Sequence, residues 1–337
     1  MVRRADAGEG SLPRRRGLAS LGARLRAIGF AIAPPRPSSF TSAGGRAAYE
    51  DAYRDAVDAL WPVSVASRFV ETSFGPTHAL VSGPADGAPL VLLHGAGLSA
   101  VSWYPNAARL ASTHRIYALD SVFDSGLGRQ TSLIRGRRDV ARWLVETFDG
   151  LDLDRPAVAG LSQGGWAAAS LARFERARAS QVALLAPAAT VQAFRLPVAL
   201  FLRYSYLVRR GDTLDSSRRT FDMVFGGRFT PDDRFVRLAA LGSASFRYAR
   251  PPVMPTRFSD ADLRAMDGPL LVLLPALDQI YSPANAFARA RRLLPDAEVE
   301  MVPAAGHFVA MEAAERISER LLAFLGEQPT AEPGYGS

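Results

Sequence analysis

Apolar residues fall in short continuous runs separated by longer stretches in which they recur every three or four positions. Leu90 to His94, Arg115 to Leu119, Pro156 to Gly160, Gln181 to Ala186, Leu270 to Leu274 and Glu298 to Val302 read as strands, most of them buried on both faces. Between and after them, Arg137 to Phe148, the segment starting at Gln163, Pro283 to Leu294 and Met311 to Leu325 carry helical spacing. Strands alternating with helices imply a mostly parallel sheet covered on both faces. Ahead of this alternation the pattern predicts a helix from Tyr49 through Leu60. Two strand-like runs follow, Ser67 to Ser73 and Thr77 to Ser82, broken at Phe74-Gly75-Pro76. This pair reads as a hairpin and gives the sheet an antiparallel edge.

The alternation stops after Pro187 for about seventy residues. Helix-like, aromatic-rich segments stand there instead, at Leu196 to Arg210, Ser216 to Phe225 and Asp232 to Tyr248. The expected organisation is therefore an α/β core over 48–187 and 262–326, a helical cap over 188–261, a basic tail over 1–47 and a flexible C-terminus over 327–337. The run Pro34-Pro35-Arg36-Pro37-Ser38-Ser39 suits neither helix nor central strand, and the tail is expected to be disordered. Phe194, Phe201, Tyr204, Phe221 and Phe225 are candidates to line an apolar pocket, although at this spacing they also suit ordinary core.

Charge and composition narrow the chemistry. The formal net charge is +7 over 337 residues, and residues 1–47 account for all of it. The body is then neutral and offers no basic stripe interleaved with aromatics, so a nucleic-acid partner is not expected. No apolar stretch reaches the roughly 18 to 20 residues that a spanning helix needs, so stable membrane insertion is not expected either. All 40 basic residues are arginine, and cysteine is absent. Schiff-base enzymes, Ser-Lys dyads, P-loops and thiol nucleophiles each require a residue that this chain lacks. Absence of cysteine fits a reducing compartment, and a cytoplasmic location is expected. With four scattered histidines no metal-ligand cluster is apparent.

Hydroxyl, carboxylate and imidazole remain, and one pentapeptide joins a hydroxyl to the strand pattern. Gly160-Leu161-Ser162-Gln163-Gly164 is G-x-S-x-G, set between a buried strand and a helix that begins at once. A sharp strand-to-helix turn lifts the Ser162 hydroxyl out of the sheet, and the free N–H groups of the helix favour negative charge beside it. A serine hydroxyl needs a base within hydrogen-bond reach. Of the four histidines, His78 lies in the hairpin, His114 starts a strand, and His94 ends the strand before Gly95-Ala96-Gly97, where an oxyanion loop is needed. His307, in the loop after the last strand, is the candidate base. Asp278, the only carboxylate in the loop after Leu270 to Leu274, is the candidate that orients it, with helix capping as its structural alternative. Backbone N–H groups of Ala96 and Gln163 are the candidate oxyanion donors.

At these residues the chain resembles the bacterial carboxylesterases of the α/β-hydrolase superfamily, in particular the type that hydrolyses aryl-propionate esters such as naproxen esters. Trp61-Pro62-Val63, Phe69-Val70-Glu71-Thr72, Leu93-His94-Gly95-Ala96, Ser102-Trp103-Tyr104-Pro105-Asn106, Gly160-Leu161-Ser162, Ile280-Tyr281 and Ala305-Gly306-His307 carry the likeness. The resemblance implies an α/β-hydrolase fold, a small-molecule carboxylic ester as substrate, no cofactor, and an acyl-enzyme on Ser162. Two departures stand out: Asp120-Ser121-Val122-Phe123-Asp124 lacks the glycine-rich turn of many relatives, and Pro275 stands where glycine is common. Two other functions fit the same residues. One is a tailoring enzyme of secondary metabolism on the same triad, such as a lactonase, thioesterase or cyclase; the other is a non-catalytic ligand receptor.

Overall fold

The computed structural model describes residues 34–200, 213–225 and 227–326. Among the described residues, those from Arg36 onward are organised on one eight-stranded sheet. The strands are β2 (Val65–Val70), β3 (Thr77–Ser82), β4 (Ala88–Leu93), β5 (His114–Asp120), β6 (Ala157–Leu161), β7 (Val182–Leu185), β9 (Leu270–Pro275) and β10 (Glu298–Val302). Their spatial order is β10-β9-β7-β6-β4-β5-β3-β2. Pairing is parallel from β10 through β5, and antiparallel from β5 to β3 and from β3 to β2. The expected hairpin is thus the antiparallel edge.

Strand alternation divides the core in two. Leu90, Leu92, Ala159, Leu161, Leu185 and Leu273 point to one face, and Val91, Leu93, Val158, Leu184 and Val272 to the other. Helices α1 (Ala43–Leu60), α2 (Tyr104–Ala111) and α10 (Ala314–Gly326) cover the first face. Helices α3 (Arg137–Gly150), α4 (Gln163–Phe174) and α8 (Pro283–Leu293) cover the second. Because both faces are covered, the central strands read as unbroken apolar runs: all residues of β6, β7 and β9 are buried.

Between β7 and β9 the chain leaves the sheet and forms α5 (Leu214–Phe225), α6 (Asp233–Ser245), β8 (Phe246–Arg247) and α7 (Asp260–Arg264). Helix α6 packs on α1, with Phe235, Val236 and Leu238 meeting the cluster that holds Tyr49 and Tyr53. The helix expected over Leu196 to Arg210 lies largely outside the described residues, as do Phe201 and Tyr204 of the pocket candidates.

Three boundaries differ from expectation. The order of the body starts well before residue 48: Ser39–Phe40 (β1) pairs with β8, Arg36 bridges Arg250, and α1 starts at Ala43. Ser42 explains the early start, since its hydroxyl accepts the Gly45 N–H at 3.0 Å and caps a first turn that looked like loop because of Gly44 and Gly45. Strand β2 stops at Val70, because the Thr72 carbonyl accepts the Gly75 N–H at 2.9 Å and the chain turns there. The last predicted helix is two, α9 (Val309–Glu312) and α10, separated at Ala313, whose φ of −131° is not helical.

Candidate active site

Ser162 sits between β6 and α4 with φ 54° and ψ −111°, a conformation that costs a non-glycine residue about 1–3 kcal/mol. Its surroundings enforce it. The Ser162 N–H donates to the Leu185 carbonyl at 2.9 Å, and the Ser162 carbonyl accepts from Trp166 N–H at 2.9 Å and Ala188 N–H at 3.0 Å. The flanking glycines are steric requirements: a Cβ on Gly160 would lie 2.2 Å from the Gly164 carbonyl oxygen, and one on Gly164 would lie 2.2 Å from the Leu93 carbonyl oxygen. The turn can therefore form only where strand and helix backbones touch.

Two loops from neighbouring strands bring His307 and Asp278 to this serine. His307 Nε2 is 2.7 Å from Ser162 Oγ, and His307 Nδ1 is 2.7 Å from Asp278 Oδ2. A buried carboxylate at Nδ1 requires the proton there, which leaves Nε2 as the acceptor for the serine O–H. Asp278 is not a helix cap, the alternative reading of its position; Ser282 caps α8. Asp278 Oδ1 also accepts the Ile280 N–H at 2.8 Å, and its side chain is fully buried. Tyr281 crosses the imidazole edge-on at 6.3 Å. Burial, followed by the charge of Asp278, holds the Tyr281 phenol well above the usual range, so it stays neutral.

The loop after β4 lies against the serine, since a Cβ on Gly95 would sit 3.5 Å from Ser162 Cβ. Gln163, the first residue of α4, and half-buried Ala96 in this loop have N–H groups with no acceptor among the described residues. His94 stitches the loop down. Its Nδ1 donates to Gly95 O at 2.8 Å, and its Nε2 accepts the Ser121 N–H at 3.0 Å. His94 is thus structural, while the His114 imidazole meets Thr113 Oγ1 at 2.9 Å, far from the serine at the opposite end of its strand.

Four charged residues that the sequence did not single out support these loops. Asp124 accepts Gly97 N–H at 2.8 Å and Tyr248 O–H at 3.2 Å, and burial pushes its carboxyl up. Asp120 accepts Ala100 N–H at 2.8 Å. The departure at residues 120–124 thus supplies carboxylates that anchor the oxyanion-loop candidate. Glu312, whose side chain is fully buried, accepts Gly306 N–H at 2.8 Å and Phe308 N–H at 3.2 Å, the two amides flanking His307. Arg228, in the segment after α5, reaches Glu312 at 2.5 Å. Only the position of Glu312 five residues after His307 hints at its task.

One wall of the site is aromatic. Phe308 meets His307 at 5.6 Å and Phe225 at 5.5 Å, and Phe225 stacks on Phe221 at 5.7 Å. Phe221 and Phe225 are buried, so the rings contribute core as well as wall. Among the described residues no group of three or more His, Asp or Glu side chains is placed to hold a metal ion.

Comparison with known proteins gives consistent relatives. The alpha/beta hydrolase family matches residues 90–320. The chain is 33% identical to the uncharacterized carboxylesterase nap of Bacillus subtilis over 286 residues, 83% of this chain and 93% of that protein. It is 30% identical to carboxylesterase YbfK of the same organism, covering 79% of this chain and 90% of that protein. Among solved structures, naproxen esterase (carboxylesterase NP) from Bacillus subtilis superposes with a TM-score of 0.77 at 31% identity, over 84% of this chain and 99% of that one.

Proposed function

The chain belongs to the alpha/beta hydrolase family, within which we propose that it cleaves carboxylic esters through an acyl-enzyme on Ser162. The observation that carries this reading is the unbroken hydrogen-bond chain Ser162–His307–Asp278, 2.7 Å at each step, built on a strained strand-to-helix turn.

As Ser162 Oγ attacks the ester carbonyl carbon, His307 Nε2 takes the hydroxyl proton. Negative charge moves to the carbonyl oxygen, toward the N–H groups of Ala96 and Gln163. Donors of this kind are worth about 3–4 kcal/mol each where they have been removed in other enzymes. Asp278 holds the ring in the tautomer that accepts at Nε2 and stabilises the imidazolium that forms. The imidazolium then returns the proton to the departing alcohol. Water, deprotonated by the same nitrogen, attacks the acyl-serine and releases the acid. No cofactor takes part in any step.

Phe225 and Phe308 support an apolar acyl or alcohol group, and we take residues 188–261 as the cap that contributes Phe221 and Phe225 to this wall. The neutral body supports a small-molecule ester over a nucleic acid, and the absence of cysteine supports a reducing, cytoplasmic compartment. Among the described residues no helix is long and apolar enough to cross a membrane.

The test is hydrolysis of short and medium p-nitrophenyl esters by the wild type and the Ser162→Ala variant. Continuous turnover by the wild type alone supports the reading. Equal turnover by both, or none by either, refutes it.

A further inference from the structure

A second Ser–His–Asp chain lies on the antiparallel edge of the sheet. Register places Phe69 of β2 opposite His78 of β3, and His78 opposite Asp120 of β5. Side chains in one such row share a face, and Ser67, two residues before Phe69, shares it too. Ser67 Oγ is 2.6 Å from His78 Nε2, and His78 Nδ1 is 2.8 Å from Asp120 Oδ2. These contacts repeat the order and nitrogen usage found at Ser162.

The chemistry of the three side chains is also matched. His78 and Asp120 are fully buried. Although desolvation pushes the Asp120 carboxyl up, its hydrogen bonds with His78 and with the Ala100 N–H help to pull it below the usual range, so it is a carboxylate. A carboxylate at Nδ1 fixes the proton there and leaves Nε2 to accept from Ser67 O–H. Ser67 itself is exposed, whereas Ser162 is only 7% exposed. Beside it the Phe69 ring, 56% exposed, lies over the imidazole at 4.8 Å and offers an apolar platform at the surface.

We propose that Ser67 is a second, acyl-accepting nucleophile, covalently modified by activated carboxylic esters at the outer edge of the sheet. Ser67 Oγ bonds to the carbonyl carbon and its proton passes to His78 Nε2. The bond to the leaving oxygen breaks as His78 Nε2 hands that proton to it, and a phenol or alcohol departs, leaving an acyl ester on the serine. Strand order puts four strand spacings, roughly 20 Å, between this serine and Ser162, so the two act separately. Ser67 lies inside a strand, with no helix start behind it. Without two preorganised donors, each worth about 10²–10³ in rate, acylation is slower by about 10⁴–10⁶ and the acyl group stays on. The edge site is therefore modified once and does not turn over.

The experiment uses the full-length Ser162→Ala variant, incubated with p-nitrophenyl acetate and mapped by peptide mass spectrometry. One acetyl group per chain is expected on Ser67, at least tenfold ahead of the exposed serines Ser64 and Ser112 in the same molecule. The His78→Gln change in that background, with folding checked by circular dichroism, is expected to bring Ser67 down to their level. Labelling of Ser67 no faster than Ser64 and Ser112, or unchanged labelling in folded His78→Gln, overturns the proposal. The comparison among serines within one molecule stands even if His78→Gln does not fold.

Discussion

Arg228 and Glu312 meet at 2.5 Å, and through Glu312 that ion pair reaches both amides that flank His307. The segment after α5 is thereby tied to the loop that carries the candidate base. Gly306 leaves room for this: a Cβ there would lie 2.3 Å from the Arg228 guanidinium and 2.9 Å from Glu312.

Glu312→Gln keeps one acceptor oxygen but loses the charge and one of the two amide contacts. Its kcat for an ester is expected to fall about 10- to 100-fold, or roughly 1.4–2.8 kcal/mol, with KM nearly unchanged. Arg228→Met, which strips a charge-assisted partner from a buried carboxylate, should lower stability by about 1.5–3 kcal/mol in urea unfolding. A rise in KM alone in Glu312→Gln would place the residue in substrate binding rather than in positioning His307.

Gly164→Ala probes the turn itself. Its Cβ would stand 2.2 Å from the Leu93 carbonyl oxygen, a backbone atom that can move only with β4. We expect a loss of about 3 kcal/mol or more, with ester turnover lost from whatever folds. Gly97→Ala is the contrast: nothing lies within 4 Å, and only its φ of 71° resists, so about 1–2 kcal/mol is expected. Thermal melts of the two variants check the order.

These two glycines mark what was legible in the sequence. Buried strands announce themselves as apolar runs, and a G-x-S-x-G between strand and helix carries its own steric logic, so the sheet and Ser162 could be read directly. His307 and Asp278 followed because the fold offered few polar residues after the right strands. Asp120, Asp124 and Glu312 did not, because a carboxylate that accepts backbone amides has no fixed spacing from them and looks like any surface acid. Ser42 was missed for a related reason: a cap is a single hydrogen bond, and Gly44-Gly45 argued for loop.

Asp262 should make stability depend on acid. Burial pushes its carboxyl up, but hydrogen bonds from Arg137 and from Ser259 outweigh that and lower it from 3.8 to about 2. Arg137 lies at 3.0 Å and Arg173 at 3.1 Å. A folded-state value below the unfolded one stabilises the fold above the unfolded value, and the gain is lost as pH falls from 3.8 toward 2. The melting temperature of Asp262→Asn should thus lie below wild type at pH 6 and converge with it near pH 2. A gap that persists at pH 2 would mean that packing, not charge, is responsible.

Asp278→Asn removes the acceptor that fixes the His307 tautomer while keeping the shape of the side chain. A fall of about 10⁴ in kcat is expected, as when the orienting acid of a serine triad is amidated elsewhere. A fall of less than about tenfold would show that Asp278 merely packs there.

The most direct measurement is rapid acid quenching of the wild-type chain with p-nitrophenyl butyrate during the first turnover, followed by peptide mapping. A butyryl group is expected on Ser162, formed long before any on Ser67 and absent from Ser162→Ala, which loses continuous turnover. Turnover that proceeds with no acyl group on Ser162, together with a Ser162→Ala variant that keeps the wild-type kcat, would contradict it.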